Sequence, residues 1–74
     1  MKNLAELKVG EKGIIKSFLD EVMSLKLLEM GILPETEVQV RYAAPLGDPI
    51  CIEIVGAKLS LRLAEASKIV VQGQ

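Results

Sequence analysis

Three stretches of the chain, at residues 38–43, 50–55 and 57–63, alternate hydrophobic and polar residues with a period of two. This alternation is typical of half-buried β-strands. The last two are joined by Gly56, which predicts a tight hairpin connection. Two further stretches, "GIIKSFL" and "KIVVQ", are rich in β-branched or aromatic residues and also favour strands. The five predicted strands lie at 13–19, 38–43, 50–55, 57–63 and 68–72.

The segment "DEVMSLKLLEMGILP" interrupts this pattern and predicts one α-helix. Asp20 fits the N-cap, Gly31 fits the position after the last turn, and Pro34 prevents continuation. Five short strands in so few residues favour a barrel, because a rolled sheet leaves few exposed edges. We therefore predict a mainly β fold, a single domain over residues 1–74, with the helix inserted between the first and second strands.

The predicted helix carries hydrophobic residues on two sides. At ~100° per residue, Met23, Leu27 and Met30 fall on one arc, and Leu25 and Leu28 fall on another, roughly opposite. A helix lying on a small barrel buries one stripe. The second arc is therefore either incidental exposed leucine, partly covered by loops, or a surface offered to another molecule.

A stiff turn is predicted by "PLGDP", residues 45–49. Pro45 at the second position and Gly47 at the fourth suit a β-turn, which leaves Leu46 facing outward. The Asp48 side chain can accept hydrogen bonds from nearby backbone NH groups and stiffen the turn. Fixing strand register is a sufficient role for this segment, and contact of Leu46 with a partner is the alternative.

Composition excludes several classes of function. Nine basic and ten acidic residues give a net charge of −1, so we expect no nucleic-acid binding. The sequence has no histidine and no glycine-rich phosphate motif, and Cys51 alone fits a small hydrophobe in a strand. We therefore expect a non-enzymatic protein with no catalytic, cofactor-binding or metal-binding residues. No apolar signal segment or membrane helix is predicted, which favours the cytoplasm.

The segments "KLLEMGILPETEV", "APLGDPICIEI" and "LSLRLAEASKIVV", in this order, resemble the FeoA family of small ferrous iron transport accessory proteins. The resemblance extends from Leu4 to Val71. It implies an SH3-like β-barrel with a helical insertion, and a role beside FeoB, the membrane Fe²⁺ transporter with a cytosolic G-protein domain. Family members often have arginines in the helix where this chain has Leu25 and Lys26. The lower positive charge favours an apolar contact.

The resemblance and the spare apolar arc together predict a partner surface with two parts, the outer side of the helix and the stiff turn. The partner is predicted to be the cytosolic G-protein domain of FeoB, through which alone the protein reaches the membrane, or a second copy of the chain. The predicted partner-binding residues are Leu25, Lys26, Leu28, Glu29, Leu46 and Asp48.

Two other functions are compatible with the sequence. The same barrel occurs at the C-terminus of iron-dependent repressors, so the domain could be regulatory. A weak direct metal site built from carboxylates such as Asp48 and Glu53 is the other alternative. Without histidine such a site is all oxygen, and it discriminates poorly between iron and Mg²⁺.

Overall fold

The computed structural model describes residues 2–73, which form a mainly β domain. Two helices and a 3₁₀ turn at Leu4–Glu6 accompany the strands: α1 spans Glu21–Glu29 and α2 spans Leu63–Ala66. The six strands are β1 Lys2–Asn3, β2 Lys12–Phe18, β3 Glu37–Ala43, β4 Ile50–Ile54, β5 Ala57–Leu61 and β6 Ile69–Gly73.

All six strands belong to one antiparallel sheet in the order β1-β6-β2-β3-β4-β5. Strands β4 and β5 form the predicted hairpin, with Ile54 opposite Ala57. Val55 and Gly56 make the connection at φ values of 51° and 76°. Two positive φ values are typical of the type I′ turn, whose twist matches that of the flanking strands.

One hydrophobic core receives side chains from both ends of the sheet. Leu4, beside the edge strand β1, and Leu61, on the edge strand β5, belong to the same buried cluster. Helix α2 packs against the 3₁₀ turn, so the two ends of the sheet meet without pairing their edge strands. The sheet therefore wraps around its core, and the predicted mainly β barrel is confirmed.

Three features of the fold differ from the prediction. Strand β1 was not predicted, because two residues are too few for a period-two pattern. The helix therefore lies between the second and third of six strands. The strand predicted for 57–63 ends at Leu61, and α2 follows it. The Glu65 carboxylate accepts a hydrogen bond from the Arg62 backbone NH at 3.1 Å, which favours a helix start over continued strand.

Among residues 2–73, no helix has the length and apolar character needed to cross a membrane.

Candidate functional site

Helix α1 is fixed at both ends by local hydrogen bonds. Asp20 is the predicted N-cap, and its Oδ1 accepts from the Met23 backbone NH at 2.7 Å. At the other end Gly31 has φ 81°, and its NH donates to the carbonyl of Leu28 at 2.9 Å. The NH of Ile32 donates to the carbonyl of Leu27, which completes a Schellman ending. The orientation of the helix faces follows from these fixed ends.

One side of α1 is anchored in the core. Met23 and Leu27 are buried, as the predicted inner arc requires. Met30 was predicted to join them, and this is wrong, because its side chain is 49% exposed. Met30 is the C-cap, with ψ near 2°, so the backbone has already left the helical path there. The inner face therefore rests on two residues.

The predicted outer arc of α1 is exposed. The side chains of Leu25 and Leu28 are 58% and 51% exposed. Sequence reasoning missed Val22, which is 77% exposed and precedes Leu25 by three residues on the same helix. The i, i+3 spacing of these residues was the signal that could have identified it. The outer side of α1 is thus an apolar stripe of Val22, Leu25 and Leu28, called here the outer stripe.

The two charged members of the predicted set on α1 behave differently. The Lys26 Nζ lies 2.9 Å from Oε2 of Glu65, on α2. This hydrogen bond, together with one from the Arg62 backbone NH, holds the pKa of the Glu65 carboxyl below its ordinary value. Glu29 has no ion-pair partner among residues 2–73. Lys26 therefore joins α1 to α2, whereas the charge of Glu29 is left for solvent or for a partner.

A second ion pair joins Asp20, the N-cap of α1, to Lys68, two residues after the end of α2. The Lys68 Nζ lies 2.9 Å from Oδ2 of Asp20. The hydrogen bond from Lys68, followed by the one from the Met23 NH, lowers the pKa of the Asp20 carboxyl. The same contact raises the pKa of the Lys68 ammonium. Both pairs are solvent-accessible, so water screens their attraction and each contributes little to stability.

The β3–β4 turn has the predicted geometry. The Gly47 NH donates to the Ala44 carbonyl at 2.7 Å, which places Pro45 and Leu46 at the two central positions. The Ala44 NH donates to the Pro49 carbonyl at 3.0 Å and closes the base of the turn. Leu46, at the tip, is 96% exposed and contributes almost nothing to the core.

Asp48 holds the turn in a way that the sequence did not indicate. It was predicted to accept from nearby NH groups, but its Oδ1 accepts from the Leu63 NH at 3.0 Å, fifteen residues further along. Leu63 is the first residue of α2, where a helix leaves its backbone NH groups without partners. Asp48 therefore attaches the turn to the start of α2.

Helix α2 thus connects both predicted parts of the partner surface. Asp48 binds its first residue, and Lys26 binds Glu65 within it. An open cavity of about 390 Å³ lies on the turn side of α2, lined by Asp48, Pro49, Ser60, Arg62 and Glu65. Another, of about 290 Å³, lies on the α1 side, lined by Asp20, Val22, Met23, Ala64, Glu65 and Lys68. Glu65 borders both cavities.

The two carboxylates of the metal alternative each have another contact. Asp48 is committed to the Leu63 NH, and the Glu53 carboxylate lies 3.9 Å from the Arg41 guanidinium. Within the described range, no three side chains of the types that commonly ligate metals are grouped together. Cys51 is buried and faces Tyr42 across β3 and β4. The Cys51 side chain beside it raises the pKa of the Tyr42 phenol.

Comparison with known proteins identifies the family. The model of the FeoA domain matches residues 2–73. The chain belongs to the FeoA family. Proteins of this family take part in ferrous iron transport. Membership of the family, which the resemblance in the sequence indicated, is confirmed.

One relative of this FeoA-family domain carries both transport proteins in one chain. It is the Fe(2+) transport protein A/Fe(2+) transporter FeoB fusion protein of Porphyromonas gingivalis, 34% identical over 70 residues. The match covers 93% of the present chain but only 8% of the length of the fusion protein.

Two solved FeoA structures share the fold. A FeoA-like protein from Clostridium acetobutylicum has a TM-score of 0.88 at 34% identity, covering 97% of this chain and 85% of that one. FeoA of Stenotrophomonas maltophilia, solved in complex with zinc and described as a prokaryotic SH3 domain protein, has a TM-score of 0.84 at 25% identity. That match covers 97% of this chain and 91% of the other. The predicted SH3-like fold is confirmed.

The repressor alternative is supported by fold alone. A manganese-dependent transcriptional repressor has a TM-score of 0.87 at 20% identity, covering 99% of this chain and 36% of the repressor. At this identity, a shared fold does not carry a shared function.

Proposed function

We propose that this domain is a non-enzymatic accessory protein of ferrous iron uptake that binds the cytosolic part of FeoB. The observation that carries the proposal is the Porphyromonas gingivalis relative, in which a FeoA-type domain and FeoB form one chain. When the linker is short and flexible, covalent fusion keeps two modules at an effective concentration of about 1 mM, which favours a contact between them. In separate chains the same contact must form without that help.

The partner surface is the outer stripe of α1 together with Leu46 at the tip of the β3–β4 turn. These four side chains are exposed, whereas Met23 and Leu27 on the inner face of α1 pack in the core. Lys26 and Asp48, from the predicted set, support the surface by joining α1 and the turn to α2. The domain acts in the cytoplasm and reaches the membrane through the transporter.

The size of this surface indicates a weak contact. A leucine moved fully from water into an interface gains about 1.5–3 kcal/mol. Leu25 and Leu28 are already about half covered, so each gains roughly half of that. Association itself costs about 4–15 kcal/mol. The apolar gains exceed this cost only at its lower end, so we expect a weak contact with a dissociation constant between about 0.1 and about 1 mM.

The test is a binding measurement with the FeoB transporter of the same organism, purified in nanodiscs. The domain is titrated against FeoB without nucleotide, with GDP and with a non-hydrolysable GTP analogue. Saturable binding in at least one nucleotide state supports the proposal. Absence of binding in all three states, at domain concentrations up to about 1 mM, would reject it.

A further inference from the structure

The outer stripe faces directly away from the core. At ~100° per residue, the direction of Leu25 is opposite the mean direction of the buried Met23 and Leu27. Val22 and Leu28 lie about 60° to either side of Leu25. The stripe is thus centred on Leu25 and accessible along the length of α1.

Two carboxylates lie within this face. By the same rotation, Glu29 projects between Val22 and Leu25, and Glu21 projects between Leu25 and Leu28. Both residues are exposed, and within the described part of the chain neither has an ion-pair partner. The outer face of α1 is therefore apolar and acidic.

The lysines beside this face do not neutralise it. Lys26 is paired with Glu65, and Lys68 is paired with Asp20. Glu29 is also the last residue of α1, where the negative end of the helix dipole disfavours a carboxylate. Helix stability therefore does not explain why an acidic residue occupies this position.

The charges disfavour pairing of this face with a second copy of itself. In a two-fold antiparallel pair of α1 helices centred on Leu25, residue 25+k of one copy faces residue 25−k of the other. Val22 then meets Leu28, which is favourable. Glu21, however, meets Glu29 twice, once on each side of the axis, and like charges in a partly desolvated contact are repulsive. A partner with basic groups at the same places converts both repulsions into attractions.

We propose that the outer face of α1 binds an apolar segment of FeoB flanked by lysine or arginine side chains. The inference rests on the proposed function and adds the chemistry of the partner. The stripe supplies the apolar contact, and Glu21 and Glu29 select a basic partner over a second copy of this domain.

The test changes the charge of Glu29 without loss of stability. Glu29→Lys removes a dipole penalty and places a cation at the end of the helix, so the variant is expected to be at least as stable as the wild type. Its affinity for FeoB in nanodiscs is expected to fall about tenfold or more, with Glu29→Gln intermediate. Glu37→Lys makes the same charge change at an exposed position on β3 and is expected to bind like the wild type.

Salt dependence gives a second readout. Raising NaCl from about 50 to about 300 mM is expected to weaken wild-type binding several-fold and to affect Glu29→Lys less. Sedimentation of the wild-type domain at high concentration is expected to show a monomer.

The measurements distinguish failure of the proposed function from failure of the inference about a basic partner. If the wild-type domain does not bind FeoB in any nucleotide state, the proposed function itself fails. If the wild type binds and Leu25→Asp abolishes binding, but Glu29→Lys and salt have no effect, only the basic partner is rejected. A wild-type dimer that Leu25→Asp dissociates would overturn the inference in favour of a second copy.

Discussion

Helix α1 and the β3–β4 turn both expose leucines, but they present them differently. Helix α1 spaces Val22, Leu25 and Leu28 at three-residue intervals on a rod that is anchored in the core. The turn presents Leu46 alone, on a backbone closed by its own hydrogen bonds. One leucine supplies at most about 3 kcal/mol, which is below the cost of association. The helix therefore supplies the larger share of the apolar contact, and the turn adds a smaller share.

The largest expected effect is a difference in the free energy of unfolding between substitutions on the inner face and on the outer face of α1. Leu27→Ala removes a fully buried side chain and is expected to lower the free energy of unfolding by about 2–4 kcal/mol. Leu25→Ala, on the outer face, is expected to change it by less than about 0.5 kcal/mol. Urea unfolding followed by circular dichroism measures both. Equal losses would show that the outer face also carries fold stability.

The next effect is a difference in affinity for FeoB between a substitution on helix α1 and a substitution in the β3–β4 turn. Leu25→Asp is expected to weaken binding to FeoB about tenfold or more, because it places a charge at the centre of the stripe. Leu46→Asp is expected to weaken it by a smaller factor. Calorimetry measures both affinities, and circular dichroism checks the fold.

Val55→Asp is the matched control, because Val55 is an exposed apolar residue at the other turn. Its φ of 51° suits aspartate better than valine, so the fold is kept. A larger loss for Leu46→Asp than for Leu25→Asp would reverse the ranking of the two regions.

A smaller change in the free energy of unfolding is expected when the hydrogen bond that attaches the turn to α2 is removed. Asp48→Ala leaves the Leu63 NH without its carboxylate acceptor, and we expect a loss of about 1 kcal/mol in the free energy of unfolding. Asp48→Asn retains an oxygen acceptor and is expected to lose less. Amide hydrogen exchange at Leu63 locates the change. Unaltered exchange there in Asp48→Ala would contradict the attachment.

The smallest effect concerns the ion pairs that fix α1. The carboxyls of Asp20 and Glu65 have pKa values below their ordinary 3.8 and 4.5. Because the folded pKa values are lower, the stabilisation is complete above these ordinary values and is lost as pH falls through the folded ones. Unfolding midpoints in urea between pH 6 and pH 2, roughly, measure this loss.

Asp20→Asn tests the cause of this pH dependence, because it keeps an N-cap oxygen but cannot titrate. The variant is expected to lose less stability in acid than the wild type does. Identical acid profiles would show that the Asp20 contacts do not contribute.

Patterns over a few consecutive residues predicted most of the strands and helix α1, because the residues that form each of these elements are neighbours in the chain. The period-two stretches became strands, and Asp20 and Gly31 mark the ends of α1 as predicted. Met30 was misassigned because helical rotation was extended past the residue where the helix ends. Strand β1 has only two residues, and its pairing with β6 comes from the far end of the chain, where no local pattern can reveal it.

The sequence alone determined five of the six strands described, helix α1, the burial of Met23 and Leu27 and the scarcity of reactive side chains, since each depends on residue type and on spacing over a few positions. The tertiary structure alone decided that Asp48 meets the start of α2 and that Lys26 meets Glu65. Those partners are 15 and 39 residues apart, so only closure of the sheet brings them together. It also decided which hydrophobic side chains of α1 the core could not cover, and these form the surface proposed to bind the transporter.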